Sequence, residues 1–204
     1  MILETVNVGV MQVNCYILGC AQDKGAIIID PGDQTVKINT VLKKHRLKPA
    51  LVINTHGHYD HIGSDDDFGV NIYVHKLDLP MLLDAHKNVS ADFALPYKVK
   101  SNIKTLEDKE VVKFDCIELE VIHLPGHTPG GIGLLMKKPF GDIVFTGDTL
   151  FYLGIGRYDL AGGSYEQLVK AIKERLFVLP PETKVYPGHG PTTTIQREKN
   201  SNQF

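Results

Sequence analysis

Apolar and polar positions alternate along the start of the chain. Val6, Val8 and Val10 form one series, Val13, Cys15 and Ile17 a second, and residues 26–29 make a short apolar run. A period of two predicts strands, so the N-terminal third reads as a β-meander. Asp30-Pro31-Gly32 predicts the turn that ends it. The period then lengthens. Ile38, Val41, Leu42 and His45 fall on one helical face, with Asp33 as N-cap and Pro49 just beyond the end. Residues 51–53 predict a buried strand, Ile72 and Val74 mark another, and a helix is expected over 77–86. Residues 87–109 have weak periodicity and read as a surface excursion. Strands resume at 111–114, 117–124, 131–136 and 142–145. Ser164 and Gln167 form a capping box ahead of Tyr165, Leu168, Ile172 and Leu176, one face of a helix. A last strand, 184–186, leads into Pro187-Gly188-His189-Gly190. No linker or repeat interrupts the chain. The pattern predicts one α/β domain over 1–204, with two packed sheets covered by helices.

Composition excludes several classes. The 204 residues are 43% hydrophobic and 23% charged, which excludes disordered and fibrous proteins. The 22 basic and 24 acidic residues leave a net charge of −2, so no broadly cationic surface is available for nucleic acid. Residues 5–22 carry no formal charge, but Asn7, Gln12, Asn14 and Gln22 argue against a membrane span, and no basic n-region of a signal peptide precedes them. Cys15, Cys20 and Cys116 are an odd set at no regular spacing. They read as buried small residues rather than a disulfide framework, and so predict a reducing, cytoplasmic setting.

The chemistry concentrates in Thr55-His56-Gly57-His58-Tyr59-Asp60-His61. Histidines at i and i+2 diverge on a helix but converge from an extended loop at a strand end. Asp60 and His61 are neighbours that point in different directions, so one ion cannot take all four. Two ions result, with His56 and His58 on one and Asp60 and His61 on the other. Imidazole and carboxylate suit zinc, iron or manganese better than calcium or magnesium. Three other strand-to-turn segments carry a potential ligand beside glycine: His127 in 125–130, Asp148 in 146–149 and His189 in 187–190. Asp65-Asp66-Asp67 reads as a solvated turn, and His45, His75, His86 and His123 have no ligand partner nearby in sequence. Residues 93–97 form an apolar strip that is either a contact surface or core.

The order His-x-His-x-Asp-His, then a distant His, Asp and His, resembles the metallo-β-lactamase superfamily. The resemblance runs from Asn14-Cys15-Tyr16 and Asp30-Pro31-Gly32 to Gly188-His189-Gly190-Pro191. It implies an αββα sandwich with two divalent metal ions, zinc in the first instance and iron or manganese otherwise. His56, His58 and His127 would hold the first ion and Asp60, His61 and His189 the second. Asp148 would bridge them, and Asp60 and Asp148 would act as the catalytic carboxylates on a bridging hydroxide.

Within the superfamily, the commonest β-lactamases use cysteine where Asp148 falls, flavodiiron members carry an acidic residue at His58, and nuclease branches are larger and more basic. Residues 156–164, Gly-Arg-Tyr-Asp-Leu-Ala-Gly-Gly-Ser, and the chain after His189 look like the small glyoxalase II-like hydrolases. That resemblance implies hydrolysis of a hydroxyacyl thioester, with Arg157 and Tyr158 as candidate substrate contacts. Two departures stand out. Only about fifteen residues follow His189 where glyoxalase II proper carries a helical domain, and Gly131 and Leu134 replace a histidine and a tyrosine. The expectation is therefore a small-molecule thioesterase, acting on neither nucleic acid nor membrane. An iron persulfide dioxygenase and a small-ester or lactone hydrolase are the alternatives. A structural zinc module would use cysteine-rich, closed coordination, which this ligand set lacks.

Overall fold

Successive side chains of the N-terminal strands enter two different cores. The computed structural model describes residues 1–139 and 141–204. Strand β1 (Ile2–Val8) pairs antiparallel with β2 (Val13–Gly19), and β2 with β3 (Gly25–Ile29). Helix α1 (Thr35–Lys44) follows, and β4 (Lys48–Ile53) then lies parallel to β3. Along β2, Val13, Cys15 and Ile17 join Ile38 and Leu42 of α1, whereas Tyr16 and Leu18 face the other way. Ala26, Ile28 and Val52 take the helix side; Ile27, Ile29, Leu51 and Ile53 take the other. Strands covered on both faces read as unbroken apolar runs, as residues 26–29 and 51–53 do. Each fully buried Leu or Ile there contributes about 1.5–3 kcal/mol.

After β4 come the short helix α2 (Tyr59–Ile62), β5 (Asn71–His75), α3 (Leu79–Leu82) and β6 (Ile103–Leu106), with β5 and β6 extending the sheet in parallel. The second sheet is built from β7 (Val111–Phe114), β8 (Ile117–His123), β9 (Ile132–Lys138) and β10 (Ile143–Gly147), each antiparallel to the next. A small ribbon, β11 (Leu150–Phe151) with β12 (Gly154–Ile155), precedes helix α4 (Tyr165–Ala171), whose turns continue to Leu176. Strand β13 (Lys184–Pro187) joins β10 in parallel, β14 (Thr193–Thr194) adds the edge, and α5 (Ile195–Ser201) closes the described chain. Leu119, Val121, Leu134 and Phe145 meet Tyr16, Ile27 and Ile53 between the sheets. Ile122, Val144 and Val185 face Leu168, Ile172 and Ile195 on the outside. The layers run helix, sheet, sheet, helix: two mixed sheets flanked by helices, as expected.

Several elements differ from the sequence reading. The helix expected over 77–86 is a single turn, because the Asn88 amide donates to the carbonyls of Met81 and Tyr97 and takes the chain out of the helix. The weakly periodic 87–109 stretch contains β6. Val10 belongs to no strand: it sits at the β1–β2 hairpin tip and is 94% exposed. Nor are Asp65, Asp66 and Asp67 a solvated turn. Asp65 is buried and accepts from Asn54, Asp66 accepts from the backbone of Lys100 and Ser101, and Asp67 accepts from Thr35.

The cysteine reading needs the largest correction. Cys15 is buried and free, but Cys20 and Cys116 form a disulfide across 96 residues of sequence. Two residues so far apart in sequence carry no local signal of pairing; the packing of the sheets brings them together. Disulfides persist in oxidising surroundings, so the cysteine argument for a reducing compartment falls. Among the described residues, no helix is long and apolar enough to cross a membrane. Replacing both cysteines (Cys20→Ser with Cys116→Ser) is expected to lower the unfolding free energy by about 2–5 kcal/mol. The measurement is the denaturant midpoint, compared with that of the untreated and the reduced protein.

Candidate metal centre

The seven candidate ligands follow the carboxyl ends of four strands, one in the first sheet and three in the second. The loop after β4 carries His56, His58, Asp60 and His61; the loops after β8, β10 and β13 carry His127, Asp148 and His189. β8, β10 and β13 point the same way because β9 runs antiparallel between β8 and β10, while β10 and β13 are parallel. His58 is extended, with φ −72° and ψ 147°, and is followed by α2, whose first turn holds Asp60 and His61. Close backbone approach requires glycine at several positions around the centre, Gly32 and Gly188 among them. A Cβ on Gly32 would lie 1.4 Å from the Asp60 carbonyl oxygen, and one on Gly188 would lie 2.2 Å from Asp148 Oδ1.

The ring nitrogens converge. His127 Nε2 lies 2.9 Å from His58 Nδ1 and 3.2 Å from His56 Nε2. His61 Nε2 lies 3.3 Å from Asp148 Oδ1, and both atoms are buried with no hydrogen-bond partner. His189 Nε2 is 3.4 Å from Asp60 Oδ2 and 3.5 Å from Asp148 Oδ2. Three groups of donors can each surround a cation: His56, His58 and His127; His56, His61 and Asp148; Asp60, His61 and His189. Lone pairs of imidazole nitrogens this close repel one another unless a proton or a cation lies between them. Orphaned buried donors next to this cluster make a metal-binding fit. The centre opens onto a cavity of about 600 Å³.

The description "Metallo-beta-lactamase superfamily" belongs to the family model that matches residues 8–189. The chain belongs to that superfamily. It is 34% identical to hydroxyacylglutathione hydrolase GloC of Haemophilus influenzae, over 99% of this chain and 97% of the relative. A solved structure named BLEG-1 B3 metallo-beta-lactamase superposes with a TM-score of 0.91, at 34% identity, covering 100% of this chain and 99% of the other. TTHA1623, solved in a di-iron-bound form, gives a TM-score of 0.82 at 34% identity, covering 98% and 99%. Superfamily membership makes the chain a metal-dependent hydrolase in general terms.

The candidate ligands of this superfamily member are held by further polar groups that the sequence did not reveal. His61 Nδ1 pairs with Asp30 Oδ2 at 2.9 Å, His127 Nδ1 with the Arg157 carbonyl at 2.6 Å, and His189 Nδ1 with the Met11 carbonyl at 2.9 Å. His56 Nδ1 is 3.2 Å from Thr55 Oγ1. These contacts orient each ring and leave its other nitrogen for the centre. The surrounding charge sets the protonation states. Burial, reinforced by the neighbouring histidines, holds His56 well below its usual range; burial and His127 bring His58 down to about 3. Both rings therefore stay neutral at physiological pH, as a metal ligand must. Burial works against ionising Asp148, but His61, His127 and His189 outweigh it and keep the carboxylate charged. Burial likewise opposes a charged His61, and Asp148, Asp60 and Asp30 outweigh it.

Asp78 has the same character and no sequence signal. Buried at the start of α3, it accepts from Gly57 N at 3.0 Å, Thr128 Oγ1 at 2.7 Å and Gly130 N at 2.6 Å. It thus ties the loop of His56 and His58 to the loop of His127. The candidate substrate residues part company. Arg157 lines the cavity, but its guanidinium binds Asp159 at 2.8 and 3.0 Å; Tyr158 packs on Tyr165, with ring centroids 4.9 Å apart, and is not among the lining residues. His45 pairs with Glu4, and His75 stacks on His123, so neither joins the centre. Asp78→Ala leaves three buried donors unpaired. It is expected to weaken the ion held by His56, His58 and His127 about 10–100-fold, while the ion at Asp60, His61 and His189 is retained. Chelator competition with elemental analysis reads the two losses separately.

Proposed function

We propose that this chain is a dinuclear thioesterase of glyoxalase II type. The observation that carries the reading is the pair of adjoining donor clusters, one of three histidines and one of Asp60, His61 and His189, with Asp148 reaching both and a cavity in front. In this reading His56, His58 and His127 hold one cation, Asp60, His61 and His189 hold the other, and Asp148 lies between them. Bound there, divalent cations such as zinc, iron or manganese supply Lewis acidity and a hydroxide nucleophile at neutral pH.

The chain's own residues do the orienting. Asp60 and Asp148 accept hydrogen bonds from the attacking water and fix its lone pair toward the acyl carbon. Asp30, Thr55 and the carbonyls of Met11 and Arg157 keep the histidine rings in the required tautomers. Hydrolysis breaks the carbon–sulfur bond: hydroxide oxygen goes to the acyl carbon, and a proton goes to the departing sulfur. The likeness to GloC across nearly the whole chain supports a thioester as the substrate class. The likeness to BLEG-1 favours a second reading, β-lactam hydrolysis, which needs the same water attack on an amide carbonyl.

Purified protein is expected to carry about two ions of zinc, iron or manganese per chain and to release thiol from S-lactoylglutathione or a simpler thioester. Chelation should abolish that release, and His189→Ala should leave one ion and little activity. A single iron, no thiol release and oxygen uptake with a persulfide would overturn the hydrolase in favour of the dioxygenase. Turnover of a β-lactam without turnover of any thioester would install the second reading.

A further inference from the structure

The wall of the cavity is apolar where it leaves the metal centre. The β1–β2 hairpin contributes Val8, Val10 and Met11, and the segment before β6 contributes Val89, Phe93 and Leu95. Four of these are exposed large apolar side chains: Val10 at 94%, Met11 at 51%, Phe93 at 56% and Leu95 at 59%. Single exposed apolar residues are ordinary, but a cluster around the mouth of one cavity marks a binding surface. The strip at 93–97, read from sequence as either contact surface or core, therefore leaves Phe93 and Leu95 uncovered at that mouth.

Charge on the same wall points the same way. Beyond the residues of the centre, its charged side chains are Asp33, Asp92 and Arg157. The Arg157 guanidinium is already committed to Asp159 through two hydrogen bonds. Among the described lining residues, Arg157 is thus the one basic side chain outside the centre, and it is shared with Asp159. A glutathione conjugate brings two carboxylates and would meet Asp33, Asp92 and hydrocarbon, with a single arginine that Asp159 already engages.

We infer that the cavity takes a substrate whose chain beyond the scissile carbonyl is uncharged and apolar, an aliphatic acyl thioester or ester rather than a glutathione conjugate. The inference rests on the thioesterase reading for its chemistry and on the cavity wall for its specificity.

The test uses the full, metal-loaded chain and acyl thioesters of the neutral thiol N-acetylcysteamine, from acetyl to octanoyl. The value of kcat/KM is expected to rise about threefold per added methylene, and octanoyl should exceed S-lactoylglutathione. Phe93→Ser with Leu95→Ser should flatten that slope. Val36→Ser, an apolar residue 81% exposed on α1 and outside the cavity, should keep it. Binding of 2-butanone through 2-decanone, which cannot be hydrolysed, is followed by calorimetry in parallel. Chain-dependent binding that the Phe93/Leu95 variant loses, without turnover of any ester or thioester, supports the cavity assignment and sinks the thioesterase reading. Turnover with a flat slope and flat ketone affinities, or S-lactoylglutathione preferred over octanoyl thioester tenfold, overturns the inference and leaves the thioesterase reading standing.

Discussion

A buried carboxylate with nowhere to go but its partners organises this centre. Asp30, 1% exposed at the end of β3, accepts from Thr55 N and Thr55 Oγ1 at 2.7 Å each, and pairs with His61 Nδ1 at 2.9 Å. Leaving such a group unpaired in the interior would cost several kcal/mol, so the loop after β4 must depart where those partners can reach it. The same bonds decide which nitrogen of His61 faces the centre. Asp78 repeats the device on the other side, where one carboxylate holds two ligand loops in register. The position of the histidines is thus set by charge burial in the layer beneath them.

The two sheets share the work unequally. The first supplies a continuous ligand loop, so His56, His58, Asp60 and His61 arrive together from one strand end. The second supplies His127, Asp148 and His189 singly, each at the end of a strand pointing the same way. That arrangement needs the two sheets to be held in fixed register, which the close-packed layer of Tyr16, Phe145, Leu134 and Ile53 between them provides.

What was legible in the sequence was local. Alternation at 13–17 and unbroken apolar runs at 26–29 and 51–53, where both faces are buried, identified strands, and Ser164 with Gln167 announced α4, whose cap the Ser164 side chain makes. The residues of the centre stood out because four candidates sit within six positions and the others lie beside glycine. What was hidden depends on contacts across space. Asp78 looks like any acidic residue before a short helix, and the Met11 and Arg157 carbonyls have no side-chain signature. The Asn88 amide that shortens α3 is invisible to periodicity, and the partner of Cys20 lies in the β7–β8 turn of the other sheet.

That disulfide joins the two sheets at the end away from the centre: β2 reaches Cys20 as it runs opposite to β3, and Cys116 precedes β8, which ends near His127. The centre joins the same sheets at the other end, through ligands drawn from both. If a cation fills that centre, the sandwich is bolted top and bottom, one bolt covalent and one ionic. With a cation bound, a clamp of that kind would hold the two plates at both ends and resist shear between them, over and above the apolar layer that they share.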